Sequence, residues 1–173
     1  MQYLSLILIT FFLLLSSSCD SDEASVCSPP DKPTFSLEDL NPTSGTHGQY
    51  IGPQSFNGKV TLYYFPFSEN WGTCRNRFGS LDSLYDAYES DESDLRIIGV
   101  GKNDDNQIYP IIENRNLPYV KDNDENKVWE TWCPEDRDLF FLDRNGFFNT
   151  KINLTPRIPV NDIKELIDTL LEI

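Results

Sequence analysis

The sequence predicts an α/β domain with a central mixed β-sheet flanked by helices. Strand patterns rich in β-branched and aromatic residues alternate with helical patterns, and this order favours parallel strands joined by right-handed crossovers. Near the C-terminus, Arg144-Asn145-Gly146 separates two strand patterns and predicts a hairpin, so these two strands are antiparallel. A final helix follows, and the sheet is therefore expected to combine parallel and antiparallel pairs.

Three strands form the predicted core of the sheet. Lys59–Phe67 combines β-branched and aromatic residues, follows an Asn-Gly turn and ends at a proline. Leu95–Gly101 is an almost continuous apolar run, as expected for a strand buried on both faces, and Asp138–Asp143 is the third core strand. The remaining predicted strands are Leu117–Val120 and Phe147–Leu154.

Apolar residues at three- and four-residue spacings predict the helices. The first runs from about Cys74 to Tyr88, and the last spans Val160–Leu171. Shorter helical segments are predicted at Gln107–Asn114 and Val128–Trp132. The side chains expected to face the core are Phe78, Leu81, Leu84, Tyr85 and Tyr88 in the first helix, and Val160, Ile163, Leu166, Ile167, Leu170 and Leu171 in the last.

The charge of the chain excludes nucleic acid as a partner. Its 173 residues include 14 Lys+Arg and 28 Asp+Glu, which gives a net charge of -14. A phosphate-binding surface needs clustered basic residues, and here they are scattered singly. The same charge disfavours electrostatic docking on an anionic membrane. An aromatic content of 13% argues against a disordered chain.

The N-terminus has the pattern of an export signal. The apolar run Tyr3–Leu15 is shorter than the roughly 20 residues that a membrane span needs. Leu15–Cys19 resembles a bacterial lipobox, in which the cysteine thiol receives the lipid. We therefore predict a signal peptide over residues 1–18, a lipidated Cys19 with an acidic, Pro-rich tether over 19–34, and a folded domain over 35–173.

The alternative for this segment is an ordinary cleaved secretory signal in which Cys19 is incidental. Both alternatives place the mature chain outside the cytoplasm, and the first lets it contact the membrane through the lipid anchor only. Three cysteines then remain, Cys27 in the tether and Cys74 and Cys133 in the domain. In an oxidising compartment an odd number leaves one thiol unpaired.

Several segments in order resemble a known family. Ile51–Val60, the aromatic strand after it and the loop ending in Cys74 resemble extracytoplasmic thioredoxin-like redoxins of the thiol-specific antioxidant and thiol-disulfide oxidoreductase group. Leu117–Val120, Val128–Glu130 and Asp138–Gly146 are similar to the N-terminal thioredoxin-like domain of selenoprotein P. This resemblance covers about residues 35–171. It implies a thioredoxin-like fold, with protein or small-molecule thiols and disulfides as partners.

Cys74 is the candidate catalytic residue. A thiolate is the nucleophile of thiol–disulfide exchange, and the N-terminus of a helix stabilises a thiolate through its unpaired N–H groups and partial positive charge. Arg75, the next residue, is expected to add a positive charge beside it. The reaction implied is that of a thiol-disulfide oxidoreductase or a thiol peroxidase.

The loop before Cys74 departs from the family pattern at the position of the attacking cysteine or selenocysteine. Redox-active members carry Cys-x-x-Cys, or selenocysteine-x-x-Cys, where this chain has Trp71-Gly72-Thr73-Cys74. Because the first, attacking chalcogen is replaced by Trp71, a two-cysteine cycle within this loop is impossible. Selenocysteine is encoded by UGA, which an alternative translation reads as Trp, so the codon for residue 71 bears on this point.

Two functions follow from that departure. One is redox activity centred on Cys74, and the other is a catalytically inactive binding or structural lipoprotein. In the family, a cis-proline before the corresponding strand faces the active-site cysteine. If Pro134 holds that position, Cys133 approaches Cys74 as a resolving or structural partner, which requires Cα atoms within about 7 Å. The alternative is two separate buried thiols.

No metal site and no cofactor are predicted. A zinc site needs several cysteines or histidines at short spacing. His47 is the single histidine of the chain, and the cysteines are far apart in the sequence.

Overall fold

The computed structural model describes residues 27–88 and 94–172. The predicted signal peptide and Cys19 lie outside these residues. Within them, no helix combines the length and the apolar character needed to cross a bilayer.

A small antiparallel pair of strands precedes the main sheet. It consists of β1 (Leu37–Glu38) and β2 (Tyr50–Ile51), with Leu37 opposite Ile51. A single 3-10 turn, Pro53–Phe56, leads from this pair to the central strand.

The main sheet has five strands and mixed pairing. In chain order they are β3 (Val60–Phe65), β4 (Leu95–Gly101), β5 (Tyr119–Lys121), β6 (Asp138–Leu142) and β7 (Phe148–Asn153). In space the order is β5-β4-β3-β6-β7. The β3–β4 and β4–β5 pairs are parallel, whereas the β3–β6 and β6–β7 pairs are antiparallel. The predicted mixed sheet is therefore confirmed.

Among residues 27–88 and 94–172, four helices complete the domain. They are α1 (Gly72–Asp86), α2 (Tyr109–Ile112), α3 (Val128–Trp132) and α4 (Val160–Leu171). The second is shorter than predicted. It ends at Ile112 because Glu113 turns to an extended conformation and Asn114 is left-handed, with a φ of 56°.

Both faces of the sheet are covered by apolar side chains. Alternate residues of a strand point to opposite faces, so Leu62 and Tyr64 of β3 pack on one side and Tyr63 and Phe65 on the other. The first side holds α1 and α4, and the second holds α3 and the N-terminal residues Phe35 and Leu37. As the central strand, β3 is completely buried.

The predicted hairpin and final helix are confirmed. The Gly146 N–H donates to the Asp143 carbonyl at 2.9 Å, and Gly146 takes a φ of 78°, which suits glycine. In α4, Ile163, Ile167 and Leu170 are buried. The expectation that Val160 faces inward is wrong, because the core covers this helix only from Ile163 onward and leaves Val160 39% exposed.

Candidate functional site

The loop that joins β3 to α1 carries the candidate site. Residues 66–71 form this β3–α1 loop, which ends at Trp71, the N-cap residue of α1. Because β3 and β4 are parallel, the loop leaves the carboxyl edge of the sheet, where open α/β sheets form their sites. Glu69 holds the loop in place, since this buried carboxylate accepts a 2.9 Å hydrogen bond from the Tyr119 hydroxyl.

Cys74 lies in the first turn of α1 and is fully buried. It is the free cysteine among residues 27–88 and 94–172. The Tyr64 hydroxyl donates to the Cys74 carbonyl oxygen at 3.4 Å. Burial, and after it the adjacent Cys74, raises the pKa of Tyr64 far above its usual range, so this hydroxyl remains a donor.

The guanidinium that approaches Cys74 belongs to Arg137, a residue that the sequence analysis did not single out. Its Nη1 lies 4.0 Å from the Cys74 Sγ. The Arg137 N–H donates to the Phe65 carbonyl at 2.8 Å, and its own carbonyl accepts from the Leu154 N–H at 2.9 Å. The residue is thus fixed between β3 and the end of β7, with its positive charge beside the Cys74 sulfur.

Arg75 does not take the role predicted for it. Its guanidinium curls back toward Gly72, and the side chain lines a polar surface groove together with Asp82 and Arg115. A residue that follows Cys74 on a helix points about 100° away around the helix axis, so adjacency in sequence does not bring the charge to the sulfur. Arg137 supplies the charge instead, across 63 residues of sequence.

The predicted approach of Cys133 to Cys74 is wrong. Cys133 forms a disulfide with Cys27, and their Cα atoms are 5.7 Å apart. A cysteine forms one disulfide only, so neither residue is left as a partner for Cys74.

The path of the N-terminal segment explains this pairing. Phe35 packs against the rings of Tyr63 and Trp132, with ring centroids 5.5 and 5.6 Å apart. Trp132 is the last residue of α3 and directly precedes Cys133. The segment before Phe35 therefore runs on the same side of the sheet as α3, and Cys27 reaches the end of that helix.

Pro134 also differs from its predicted role. Every peptide bond described in the structure is trans, including that of Pro134. Pro134 lines a surface pocket with Asp136, Asn153 and Thr155. The residue before β6 that faces Cys74 is Arg137, three positions further along the chain.

Trp71, three residues before Cys74, is an exposed aromatic residue. Its side chain is 56% exposed and meets Phe67 edge-on, with centroids 4.8 Å apart. The Lys102 ammonium lies 4.9 Å from the centre of the Phe67 ring and 4.6 Å from that of Trp129. We call these four residues the aromatic surface. Gly72 and Thr73 are exposed beside it.

This surface was not predicted from the sequence, although its residue types offered a signal. Phe67 and Trp71 are four residues apart, yet Lys102 follows β4 and Trp129 lies in α3. The two cation–π contacts of Lys102 form because the ends of these separate elements meet at one edge of the sheet. Among the residues that the structure describes, no group of three His, Cys, Asp or Glu side chains could hold a metal ion.

Comparison of sequences identifies no relative. No protein-family model matches the chain, and no curated protein matches its sequence. The resemblance to selenoprotein P and the lipoprotein signal therefore remain predictions.

Comparison of structures gives clear matches at low sequence identity. A provisionally assigned thioredoxin from Neisseria meningitidis superposes with a TM-score of 0.65 at 16% identity, covering 84% of this chain and 92% of that one. DsbF of Mycobacterium tuberculosis gives 0.61 at 15%, covering 83% and 99%. The thioredoxin domain of a thiol-disulfide oxidoreductase from Bacteroides vulgatus gives 0.59 at 20%, covering 83% and 99%. The chain therefore has a thioredoxin-like fold, as the sequence predicted.

Proposed function

We propose that the chain is an extracytoplasmic thioredoxin-like binding protein that does not carry out the two-cysteine redox cycle of this fold. One observation carries the proposal. The position of the attacking chalcogen holds an exposed indole, Trp71, while the thiol that remains, Cys74, is fully buried. This is the second of the two functions that the sequence left open.

The chemistry of exchange explains why this arrangement matters. A thiolate must contact the sulfur of its substrate and displace one of the two bonded sulfur atoms. An indole at Trp71 cannot form that mixed disulfide. Cys74 stands where the second cysteine of the motif would resolve such an intermediate, but its sulfur lies beneath the surface. The first covalent step therefore has no nucleophile.

Binding is favoured by what replaces the nucleophile. Exposed aromatic side chains at the edge of a sheet commonly mark sites of interaction. Trp71 is exposed there, with Phe67 packed against it. The charge of Lys102 is already paired with Asp136, whose Oδ1 lies 3.1 Å from the Lys102 Nζ. The surface therefore suits a polypeptide partner with apolar groups.

The location outside the cytoplasm has support beyond the N-terminal pattern. The Cys27–Cys133 disulfide is of the kind that persists in oxidising compartments. The lipid anchor at Cys19 rests on the sequence alone and is part of the proposal.

Substitution of Trp71 tests the proposed loss of catalysis. The unaltered protein is expected not to accelerate the reduction of insulin disulfides by dithiothreitol, measured as turbidity. Trp71→Cys restores the two-cysteine motif on an intact scaffold, so it should accelerate the reaction about tenfold or more. Trp71→Ser, and Trp71→Cys combined with Cys74→Ser, are the matched controls and should remain inactive.

The result that would overturn the proposal is activity in the unaltered protein that disappears in Cys74→Ser. Failure of Trp71→Cys to gain any activity would count against the redox ancestry of the loop. Circular dichroism of each variant separates these outcomes from misfolding.

The contact between Arg137 and Cys74 favours a second candidate, a thiol peroxidase. The Arg137 guanidinium lies 4.0 Å from the Cys74 sulfur. In thiol peroxidases a cysteine attacks a peroxide, releases water or an alcohol and becomes a sulfenic acid. This candidate predicts that hydrogen peroxide adds one oxygen atom to Cys74 in the folded protein. The binding function predicts no addition until the protein is denatured, and mass spectrometry separates the two.

A further inference from the structure

The disulfide between Cys27 and Cys133 lies apart from the β3–α1 loop. We propose that this bond is an exchange site for an external dithiol, and that its reduction frees residues 27–32 from the domain. The inference concerns a different part of the molecule and does not rest on the binding function proposed for Trp71.

Accessibility distinguishes these sulfur atoms from that of Cys74. Cys27 is exposed and Cys133 is partly exposed, whereas Cys74 is fully buried. Exchange requires a thiolate to reach one sulfur in line with the bond that breaks. Among the cysteines that the structure describes, only this pair meets that requirement.

The disulfide is the outermost attachment of the N-terminal segment. Residues 27, 28 and 30–32 are exposed, and buried side chains begin at Pro33 and Phe35. Within this exposed segment, the Asp31 carbonyl accepts a 2.8 Å hydrogen bond from the Phe148 N–H. The Lys32 ammonium lies 5.0 Å from the centre of the exposed Phe147 ring.

These contacts are weak without the covalent bond. One hydrogen bond at the surface and one exposed cation–π pair do not offset the conformational entropy of fixing six residues. We therefore expect residues 27–32 to detach on reduction, while Phe35 stays packed between Tyr63 and Trp132.

The exchange is a balanced two-electron reaction. A thiolate of the dithiol attacks the more exposed Cys27 sulfur, forms a mixed disulfide and expels the Cys133 thiolate, which takes a proton from water. The second thiol of the partner, as its thiolate, then attacks the partner's own bonded sulfur and releases Cys27, which is also protonated. The protein gains two electrons and two protons, and the dithiol becomes a disulfide.

The position of Cys133 in the domain is fixed, so the disulfide with Cys27 can form again after reduction. It stands at the end of α3 in a left-handed conformation, with a φ of 51°. Its Sγ lies 3.3 Å from the Glu130 carbonyl oxygen, so the reduced thiol has an acceptor in place. Because α3 is anchored by the buried Trp132, Cys133 should keep its position when Cys27 leaves.

The test uses the full mature chain carrying Cys19→Ala, so that three cysteines remain. The folded protein is treated with dithiothreitol and then with iodoacetamide, and the alkyl groups are located by mass spectrometry. We expect two groups, on Cys27 and Cys133, with Cys74 alkylated only after denaturation. Without dithiothreitol the folded protein should gain none.

Amide hydrogen exchange, followed by NMR, reports whether the segment detaches. Reduction should accelerate exchange at the Phe148 amide about tenfold or more, because that amide loses its acceptor on Asp31. The Leu154 amide, which donates to Arg137, should not change. Cys27→Ser should show fast exchange at Phe148 without reductant, and Cys74→Ser should behave as the unaltered protein.

Two results would overturn the inference. One is a bond that stays closed in the folded protein under conditions that fully reduce oxidised glutathione. The other is a bond that opens while the Phe148 amide keeps its protection in the reduced protein. The second measurement needs no variant, so it stands even if Cys27→Ser folds poorly.

Discussion

Asp39 is a buried carboxylate that ties the N-terminal segment to the edge of the main sheet. Its Oδ1 accepts the N–H groups of Asn41 and Tyr119, each at 3.0 Å. Its Oδ2 accepts the hydroxyls of Ser44 at 2.5 Å and Thr46 at 2.8 Å. A carboxylate with four donors is stable in a buried position, whereas the donors without it would be left unsatisfied.

Removal of this carboxylate should destabilise the fold. Asp39→Ala is expected to lower the free energy of unfolding by about 3 kcal/mol, because two main-chain donors lose their acceptor. Asp39→Asn keeps one oxygen for those donors and should cost about half as much. Urea denaturation gives the comparison, with exposed Glu38→Ala as the control. Equal midpoints for Asp39→Ala and Glu38→Ala would contradict this role.

At the scale of elements, α4 shows how an apolar stripe in the sequence becomes a packed helix. Ile163, Ile167 and Leu170 recur at four- and three-residue spacings and are buried against the sheet. This apolar stripe could be predicted from the sequence because the helix is amphipathic and lies on one surface of the domain. The exposure of Val160 could not be predicted from the sequence, since it depends on where the neighbouring core ends.

A substitution in this stripe tests the packing of α4. Ile167→Ala should lower the free energy of unfolding by about 2–5 kcal/mol, because it removes apolar contacts and leaves a cavity. Glu165→Ala, two residues away on the exposed side, should change it by less than about 0.5 kcal/mol. Thermal or urea unfolding of both variants gives the measurement. A similar loss in both would show that the helix does not pack as described.

At the scale of the whole molecule, the stretch between Cys19 and Cys27 limits how far the domain extends from the predicted anchor. We predict lipidation at Cys19, and the structure joins Cys27 to the domain by a disulfide. Eight positions separate these cysteines in the sequence. While the disulfide is closed, this stretch spans at most about 28 Å at ~3.5 Å per residue. The net charge of -14 gives the domain no electrostatic attraction to anionic lipid.

The anchor itself is tested in the intact host cell envelope. Cys19→Ala should move the protein from the membrane fraction to the released fraction, because it removes acyl chains that contribute ~0.8 kcal/mol per buried CH₂. Cys27→Ala is the matched control, since it removes a nearby cysteine outside the lipobox and should leave the protein in the membrane. Fractionation with immunodetection distinguishes the two. Retention of Cys19→Ala in the membrane would refute lipidation.

Local patterns were sufficient for the elements and insufficient for the site. The five strands of the main sheet, α1, α4 and the hairpin followed from hydrophobic periodicity and turn chemistry, which act over a few residues. The contact of Arg137 with Cys74 and the pairing of Cys27 with Cys133 join residues 63 and 106 positions apart. No local pattern encodes such contacts.

The sequence by itself determined the mixed α/β sheet and the position of Trp71 three residues before Cys74. It also predicted one unpaired cysteine among the three that follow Cys19. Only the tertiary structure decided which of these cysteines is unpaired. Packing of Phe35 against Tyr63 and Trp132 carries the N-terminal segment to the end of α3, and Cys27 meets Cys133 there. Cys74 is left alone because it is buried under the opposite face of the sheet, out of reach of both.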